Sequence, residues 1–231
     1  LDKNGIYNPW KKGNHLESIS FRNACSYKLS EPNVMLLDMA EYSWDGGEFH
    51  KEEELLRVDA MMHRSIWPDR PNRYGLQPYM IPEEPYDYEV RLKMCFDSEI
   101  SVKNCKLALE DAEKTEIMLN GEKIKAEING YFTDKAIQTV NLPPIRKGEN
   151  VLELKIPVNY RTCIEWCYIL GDFGVRLEGT RKILTRRPSK LSFGTLTKQG
   201  LPFYAANVTY ETEFEVNGDK DKVYDLLVKA T

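Results

Sequence analysis

No run in this 231-residue chain approaches the roughly 20 consecutive apolar residues that span a bilayer, so no membrane-crossing helix is expected. There is no basic excess either. Thirty-two Lys and Arg against 36 Asp and Glu leave a net charge of −4, with a sequence pI near 5.6. That balance argues against a nucleic-acid partner, whose phosphates call for a basic face. Histidine is scarce: His15, His50 and His63. The last two fall on one expected helix, 13 residues apart, and at 100° per residue they point about 220° apart, which spoils joint metal ligation. Solvated histidines are the expectation. The cysteines, Cys25, Cys95, Cys105, Cys163 and Cys167, are odd in number and irregular in spacing, so they form no disulfide framework. Three residues between Cys163 and Cys167 fit neither a zinc knuckle nor a redox pair. A nucleophile elbow, a phosphate loop, a dinucleotide fingerprint and a zinc-protease motif are all missing, and neither metal nor cofactor is expected. The chain begins at Leu1 with no charged-then-apolar leader, as a processed chain or a fragment does, which leaves cytoplasmic and exported locations both open.

What is present suits a soluble globular protein long enough to bury a core: 42% hydrophobic and 29% charged residues. Thirteen tyrosines, with 14 glycines and 12 prolines at short intervals, point to strands joined by many turns. Three zones follow. Residues 1–85 read as a linking segment. In it lie a short apolar strand, Val34 to Met39, a turn at Trp44-Asp45-Gly46-Gly47, and a helix from about His50 to Ile66 whose apolar stripe is Leu55, Val58, Met62 and Ile66. Glu52, Glu53 and Glu54 are placed in its first turns, complementing the helix dipole. A proline-rich arm with Pro68, Pro71, Pro78, Pro82 and Pro85 closes the zone.

Residues 86–178 read as an antiparallel β-sandwich. Tyr88, Val90, Leu92, Met94 and Phe96 alternate with Glu89, Arg91, Lys93 and Cys95, so the first set faces the core. Asn120-Gly121 between strand-like runs is a hairpin signal, because both residues accept positive φ. Strands are also expected at Ile137 to Leu142, from Val151 to Ile156, and at Cys163 to Leu170 before Gly171-Asp172-Phe173-Gly174. Residues 179–231 read as a linker and the start of a second, shortened sandwich. Its basic stretch holds Arg181, Lys182, Arg186, Arg187 and Lys190, either an anion patch or a solvated linker. A strand from Phe203 to Val216 and a turn at Asn217-Gly218 precede a segment, Val223 to Val228, that pairs back. Asn207-Val208-Thr209 fits a glycosylation acceptor, a triplet common by chance.

Among side chains that carry chemistry, carboxylates are abundant. A glycosidase needs two of them facing each other across a sugar, about 5–9.5 Å apart. Asp45 and Glu48 flank a turn and Glu165 flanks a strand end, so each is a candidate half of such a pair. The plainer roles are turn formation, a helix-start charge and a rim charge. Trp44, Trp67, Tyr131, Trp166 and Tyr204 are candidates for stacking on sugar faces, with core packing as the plainer role.

The run NVMLLDMAEYSWDGGEF, followed by a helix and a proline-rich arm, resembles a stretch of large bacterial glycoside hydrolases of family 2 and of the α-L-rhamnosidase-like proteins near it. IMLNGEKI, then NGYFTDKAIQTVNLPPIRKGENVLELKI, then IEWCYILGDFGV, resemble their galactose-binding-like jelly roll, and QGLPFYAANVTYETEF resembles the start of a second sandwich. The resemblance covers roughly residues 33–216. It implies a mainly β fold, a galactose-binding-like sandwich with one N-terminal helix and extended arms. It also implies a plant or host glycan and the catalytic barrel of the same parent chain as partners. Such enzymes carry their acids in a (β/α)₈ barrel, and this chain lacks the alternating strands and helices to build one. No catalytic residue carries over. The expected role is accessory: carbohydrate contact through Trp44, Tyr131, Trp166 and Tyr204, or scaffolding. The alternatives are a stand-alone carbohydrate-binding module and a small complete glycosidase using Asp45, Glu48 or Glu165.

Cys163 and Cys167 lie four residues apart on one expected strand, about 13 Å, whereas a disulfide needs α-carbons within about 7 Å. Alkylation of the unreduced, denatured protein is therefore expected to modify all five cysteines by mass; an intramolecular bridge contradicts this.

Overall fold

The structure, a computed structural model, describes residues 24–70 and 80–213. The fold is mainly β. Among the described residues two sheets stack face to face, with one α-helix, α1 (Leu55–Ile66), beside them. The first sheet has five antiparallel strands in the order β2 (Asn33–Leu37), β12 (Cys167–Gly171), β6 (Lys106–Glu110), β10 (Asp134–Asn141) and β9 (Ile128–Phe132). The second runs β13 (Gly174–Glu178), β14 (Arg181–Thr185), β5 (Tyr88–Ser98), β11 (Gly148–Val158), β7 (Glu116–Leu119) and β8 (Glu122–Ile124). On that sheet β3 (Met39–Trp44) also pairs with β5, and β4 (His50–Glu54) with β3. All pairs in it are antiparallel except β14 with β5.

The long β5 and β11 pair over their whole lengths, from Tyr88 opposite Val158 to Ser98 opposite Gly148. Val90, Leu92, Met94 and Phe96 are fully buried, as the alternation requires, and Tyr88 packs half-buried at the edge of the core. Leu152 and Leu154 of β11 meet them from the same sheet, while Met35, Leu37, Leu107, Leu109, Val140 and Ile169 come from the facing one. On the wet face, unlike charges sit across strands: Glu41–Lys93 at 3.2 Å, Glu89–Lys155 at 2.9 Å and Glu116–Lys123 at 2.7 Å. Exposed pairs of this kind add little stability, but they keep the outer face soluble.

Residues 33–54 enter both sheets. β2 pairs with β12 in the five-stranded sheet and β3 with β5 in the other, so the chain changes sheets at Asp38. There the Asp38 carboxylate pairs with the buried Lys182 ammonium, and the Asp38 carbonyl accepts a hydrogen bond from Leu55 N at 2.8 Å. The helix begins five residues later than the sequence pattern suggests. Residues 50–54 are strand β4, with Met39 opposite Glu54 and Ala40 opposite Glu53. Pairing with β3 overrides the local helical preference of the three glutamates. Glu54 is the N-cap, extended at φ −68° and ψ 135°, and its Oε2 accepts from Arg57 N at 3.1 Å. Leu55, Val58 and Met62 form the buried stripe. His63 is not solvated but buried on the same helix: its Nδ1 lies 3.0 Å from the Asp59 carbonyl and 3.5 Å from Asp59 Oδ1, and Asp59 Oδ1 accepts from Ile164 N at 2.8 Å. His15 lies outside the described residues.

The strand expected from Cys163 begins at Cys167. The segment read as a basic linker contains β14, with Ile183 and Leu184 buried. A small second cluster of Tyr27, Leu191, Leu201 and Tyr204 lies beside the sandwich. It is stitched by β1 (Ser26–Leu29) pairing with β15 (Val208–Glu211). The turn at 217–218 and the segment 223–228 lie outside the described residues, as do Pro71 and Pro78 of the arm.

The two motifs that bracket the centre of the sandwich are one hydrogen-bonded unit. Asn120 (φ 56°) and Gly121 (φ 79°) make the tight turn from β7 to β8. Asn120 Nδ2 donates to Asn150 Oδ1 at 2.9 Å, and Asn120 Oδ1 accepts from Val151 N at 2.9 Å. Asn150 is completely buried. Its Oδ1 also accepts from Arg146 N at 3.2 Å, and its Nδ2 donates to the carbonyls of Arg146 at 2.8 Å and Gly148 at 3.0 Å. Every polar site of this buried amide is satisfied, so it closes the Ile145–Gly148 turn onto the hairpin.

Two stability measurements check this account. Leu92→Asp places a charge at a fully buried position, and chemical denaturation is expected to show a loss of about 4 kcal/mol or more; a loss below about 1 kcal/mol means the alternation faces the other way. Asn150→Ala orphans the buried partners of its amide and is expected to cost about 2–4 kcal/mol. Asn150→Asp, which turns an oxygen toward two carbonyls, also destabilises, while Lys147→Ala in the same turn is neutral. Equal stability of all three variants contradicts the network.

Candidate functional site

Asp45 (φ 57°) and Gly46 (φ 74°) form the exposed tip between β3 and β4, where Gly47 N donates to the Trp44 carbonyl at 3.1 Å. Glu48 is exposed just beyond the tip. At the other end of the hairpin, Glu54 Oε1 accepts from Trp166 Nε1 at 2.7 Å. Its second oxygen caps α1, so the indole is held on a fixed element. Glu165 precedes that indole and is exposed. The span of β3 from Met39 to Trp44 is about 16 Å. The structure therefore places Asp45 and Glu48 at the tip of the hairpin, and Glu165 next in the chain to the indole that bonds to its other end.

The aromatic candidates divide. Trp44 is half-buried and stacks on Tyr42 at 5.4 Å between centroids, with His50 5.5 Å away. Tyr131 on β9 is 59% exposed and Trp166 is 37% exposed, so both have ring surface open to water. Tyr204 is a correction. It is 8% exposed in the small second cluster, its hydroxyl donating to the Asn207 carbonyl at 2.9 Å and accepting from Glu31 N at 3.3 Å, and it has no face to offer a sugar. Trp67 packs edge-on against Tyr88 at 5.5 Å and Tyr160 at 5.6 Å, a wall of the core beside α1.

The basic stretch does not assemble an anion patch. Arg181 pairs with Asp97, Lys182 with Asp38, and Arg187 with Asp172 at 2.7 Å. Three of its five cations are thus met by an aspartate, and Arg186 and Lys190 are exposed. The pair at Asp172 also explains Gly171-Asp172-Phe173-Gly174: Phe173 is buried in the sandwich, and Asp172 tethers the following segment.

Sequence reasoning missed a polar groove where three connections meet: residues 83–86 of the arm, the β6–β7 turn and the 159–162 loop. Its volume is about 230 Å³, and it is lined by Glu83, Tyr86, Asp111, Lys114, Asn159 and Arg161 among others. Tyr86 is 47% exposed, with the Lys114 ammonium 5.5 Å from its ring centroid. Lys114 Nζ pairs with Asp111 Oδ1 at 2.9 Å. The Asp111 carboxylate first, and then the Tyr86 hydroxyl, push the Lys114 pKa up to about 12, which keeps it cationic at every physiological pH. The turn is rigid. Asp111 takes φ 48°, and its carbonyl accepts from Lys114 N at 3.0 Å and from Thr115 Oγ1 at 3.1 Å. Asn159 is equally fixed, with Nδ2 donating to the Glu84 carbonyl at 2.8 Å and Oδ1 accepting from Arg161 N at 2.9 Å. Nothing in the spacing of these residues announces the groove, since they lie on three separate connections. Also unannounced is Glu110 at the end of β6, whose pKa is raised, first by partial burial and then by Asp111 and Asp134.

Among the described residues no group of three or more His, Cys, Asp or Glu side chains is placed to hold a metal ion, and no helix is long and apolar enough to cross a membrane. No family model and no curated protein matches the chain. Among solved structures it is similar to a GH2 beta-galacturonidase from Eisenbergiella tayi bound to glycerol, at 12% identity and a TM-score of 0.35. The match covers 71% of this chain and 30% of that one, so this chain spans under a third of that protein.

Proposed function

We propose that this chain is an accessory, non-catalytic β-sandwich region of a bacterial glycoside hydrolase resembling family 2. In this reading it touches carbohydrate or braces the catalytic domain of its parent chain. The observation that carries the reading is the disposition of its carboxylates and rings. Asp45 and Glu48 stand in water at a hairpin tip and Glu165 lies toward the hairpin's base, which does not favour a converging acid and base. Tyr131 and Trp166 keep exposed ring surface, and the Trp166 indole is fixed by Glu54, as a stacking platform requires. The order of the hairpin and turn motifs at Asn120 and Asn150 supports the family resemblance. The ladder of β1 with β15 and the Tyr27–Tyr204 cluster support a second sandwich starting after the first.

A panel of chromogenic aryl glycosides, including rhamnosides and galactosides, tests the non-catalytic part. The purified chain is expected to give no turnover, and Asp45→Asn and Glu165→Gln are expected to match it. Turnover in the parent chain that vanishes in either variant contradicts the reading and favours a small complete glycosidase.

A further inference from the structure

The groove between the arm, the β6–β7 turn and the 159–162 loop is independent of Trp44, Tyr131 and Trp166. We propose that it is a subsite for a single neutral sugar residue. The inference rests on the reading of the chain as a carbohydrate-contacting region and gives that contact a place.

Size comes first. About 230 Å³ lies below the roughly 300–1,000 Å³ of pockets for drug-sized ligands, which suits one ring rather than a nucleotide or an oligosaccharide. Chemistry narrows it further. Tyr86 supplies an aromatic wall with nearly half its surface exposed, and sugar C–H faces pack on such rings. Beside it, Asp111 and Lys114 set an acceptor and donors 2.9 Å apart, the spacing that two adjacent hydroxyls of a pyranose can answer together. Charge decides between neutral and ionic ligands. Lys114 is already neutralised by Asp111, and Glu84 by Arg70 at 2.7 Å. The groove's three carboxylates, Glu83, Glu84 and Asp111, are matched in number by Lys114, Arg161 and the Arg70 beside Glu84, so no net charge selects an anion or a cation. A neutral polyol meets no uncompensated repulsion. Preorganisation favours binding over collapse, because the Asp111–Thr115 turn and Asn159 are locked by their own hydrogen bonds and little order has to be gained.

The test is an amide-resolved NMR titration of the whole chain with methyl β-galactoside, methyl β-xyloside and galacturonate. The neutral glycosides are expected to shift amides in 83–86, 111–115 and 159–162, with weak affinity. Tyr86→Ala and Asp111→Asn are each expected to weaken binding at least tenfold, while Lys147→Ala, at an exposed turn outside the groove, leaves it unchanged; the amide spectrum of each variant confirms its fold. Asn is chosen at 111 because it tolerates the positive φ. Binding that survives Tyr86→Ala but disappears in Tyr131→Ala or Trp166→Ala overturns the groove and leaves the carbohydrate reading standing. Binding of galacturonate in preference to the neutral glycosides overturns the neutral class. Absence of shifts anywhere, up to the solubility limit of all three sugars, overturns the groove and counts against carbohydrate contact itself.

Discussion

The eleven-residue ladder between β5 and β11 is the constraint on which the other elements depend. One edge of β5 takes β3 along residues 90–93 and β14 at 97–98, and the far edge of β11 takes β7 and then β8. A slip of one residue in this ladder would exchange Val90, Leu92, Met94 and Phe96 for Glu89, Arg91, Lys93 and Cys95, sending three charges and their desolvation cost inward. The register is therefore fixed by burial. The Asn120–Asn150 network fixes it again at the far side of β11, where a fully satisfied buried amide tolerates no shift of either turn.

The second constraint is the crossover at Asp38. A strand that changes sheets leaves a gap in both ladders, and here two groups fill it, one from β14 and one from the start of α1. The Lys182 ammonium neutralises the carboxylate, Leu55 N takes the carbonyl, and α1 starts immediately afterwards. Such a pair contributes little net stability over an apolar pair, but removal of Asp38 leaves the buried Lys182 ammonium unpaired. It therefore acts as a choice of arrangement: β14 has to arrive beside β5 for Lys182 to be neutralised.

Legibility in the sequence followed the range of the interactions. The alternation in 88–96 and the Asn-Gly turn at 120–121 are local signals, and both stand in the structure as the sequence implies. β4 was hidden because Glu52, Glu53 and Glu54 favour helix until β3 pairs with them. β14 was hidden because its polar and basic ends, Arg181 and Lys182, are answered only by Asp97 and Asp38, far away in sequence. The same limit applies to the candidate site. Ring type alone marked Trp44, Tyr131, Trp166 and Tyr204 equally, and tertiary burial separated them. The groove at Tyr86 and Lys114 escaped because its walls come from three connections with no common motif.

Native-state hydrogen exchange across the whole chain tests the central claim, that residues 33–66 and 88–185 form one cooperative core. Amides of β2 that bond to β12, and the interior amides of α1, are predicted to exchange with the same opening free energy as those of Leu92 and Leu154, through global unfolding alone. Exchange of residues 33–66 through a separate, lower-energy opening, while β5 and β11 stay protected, would contradict the account.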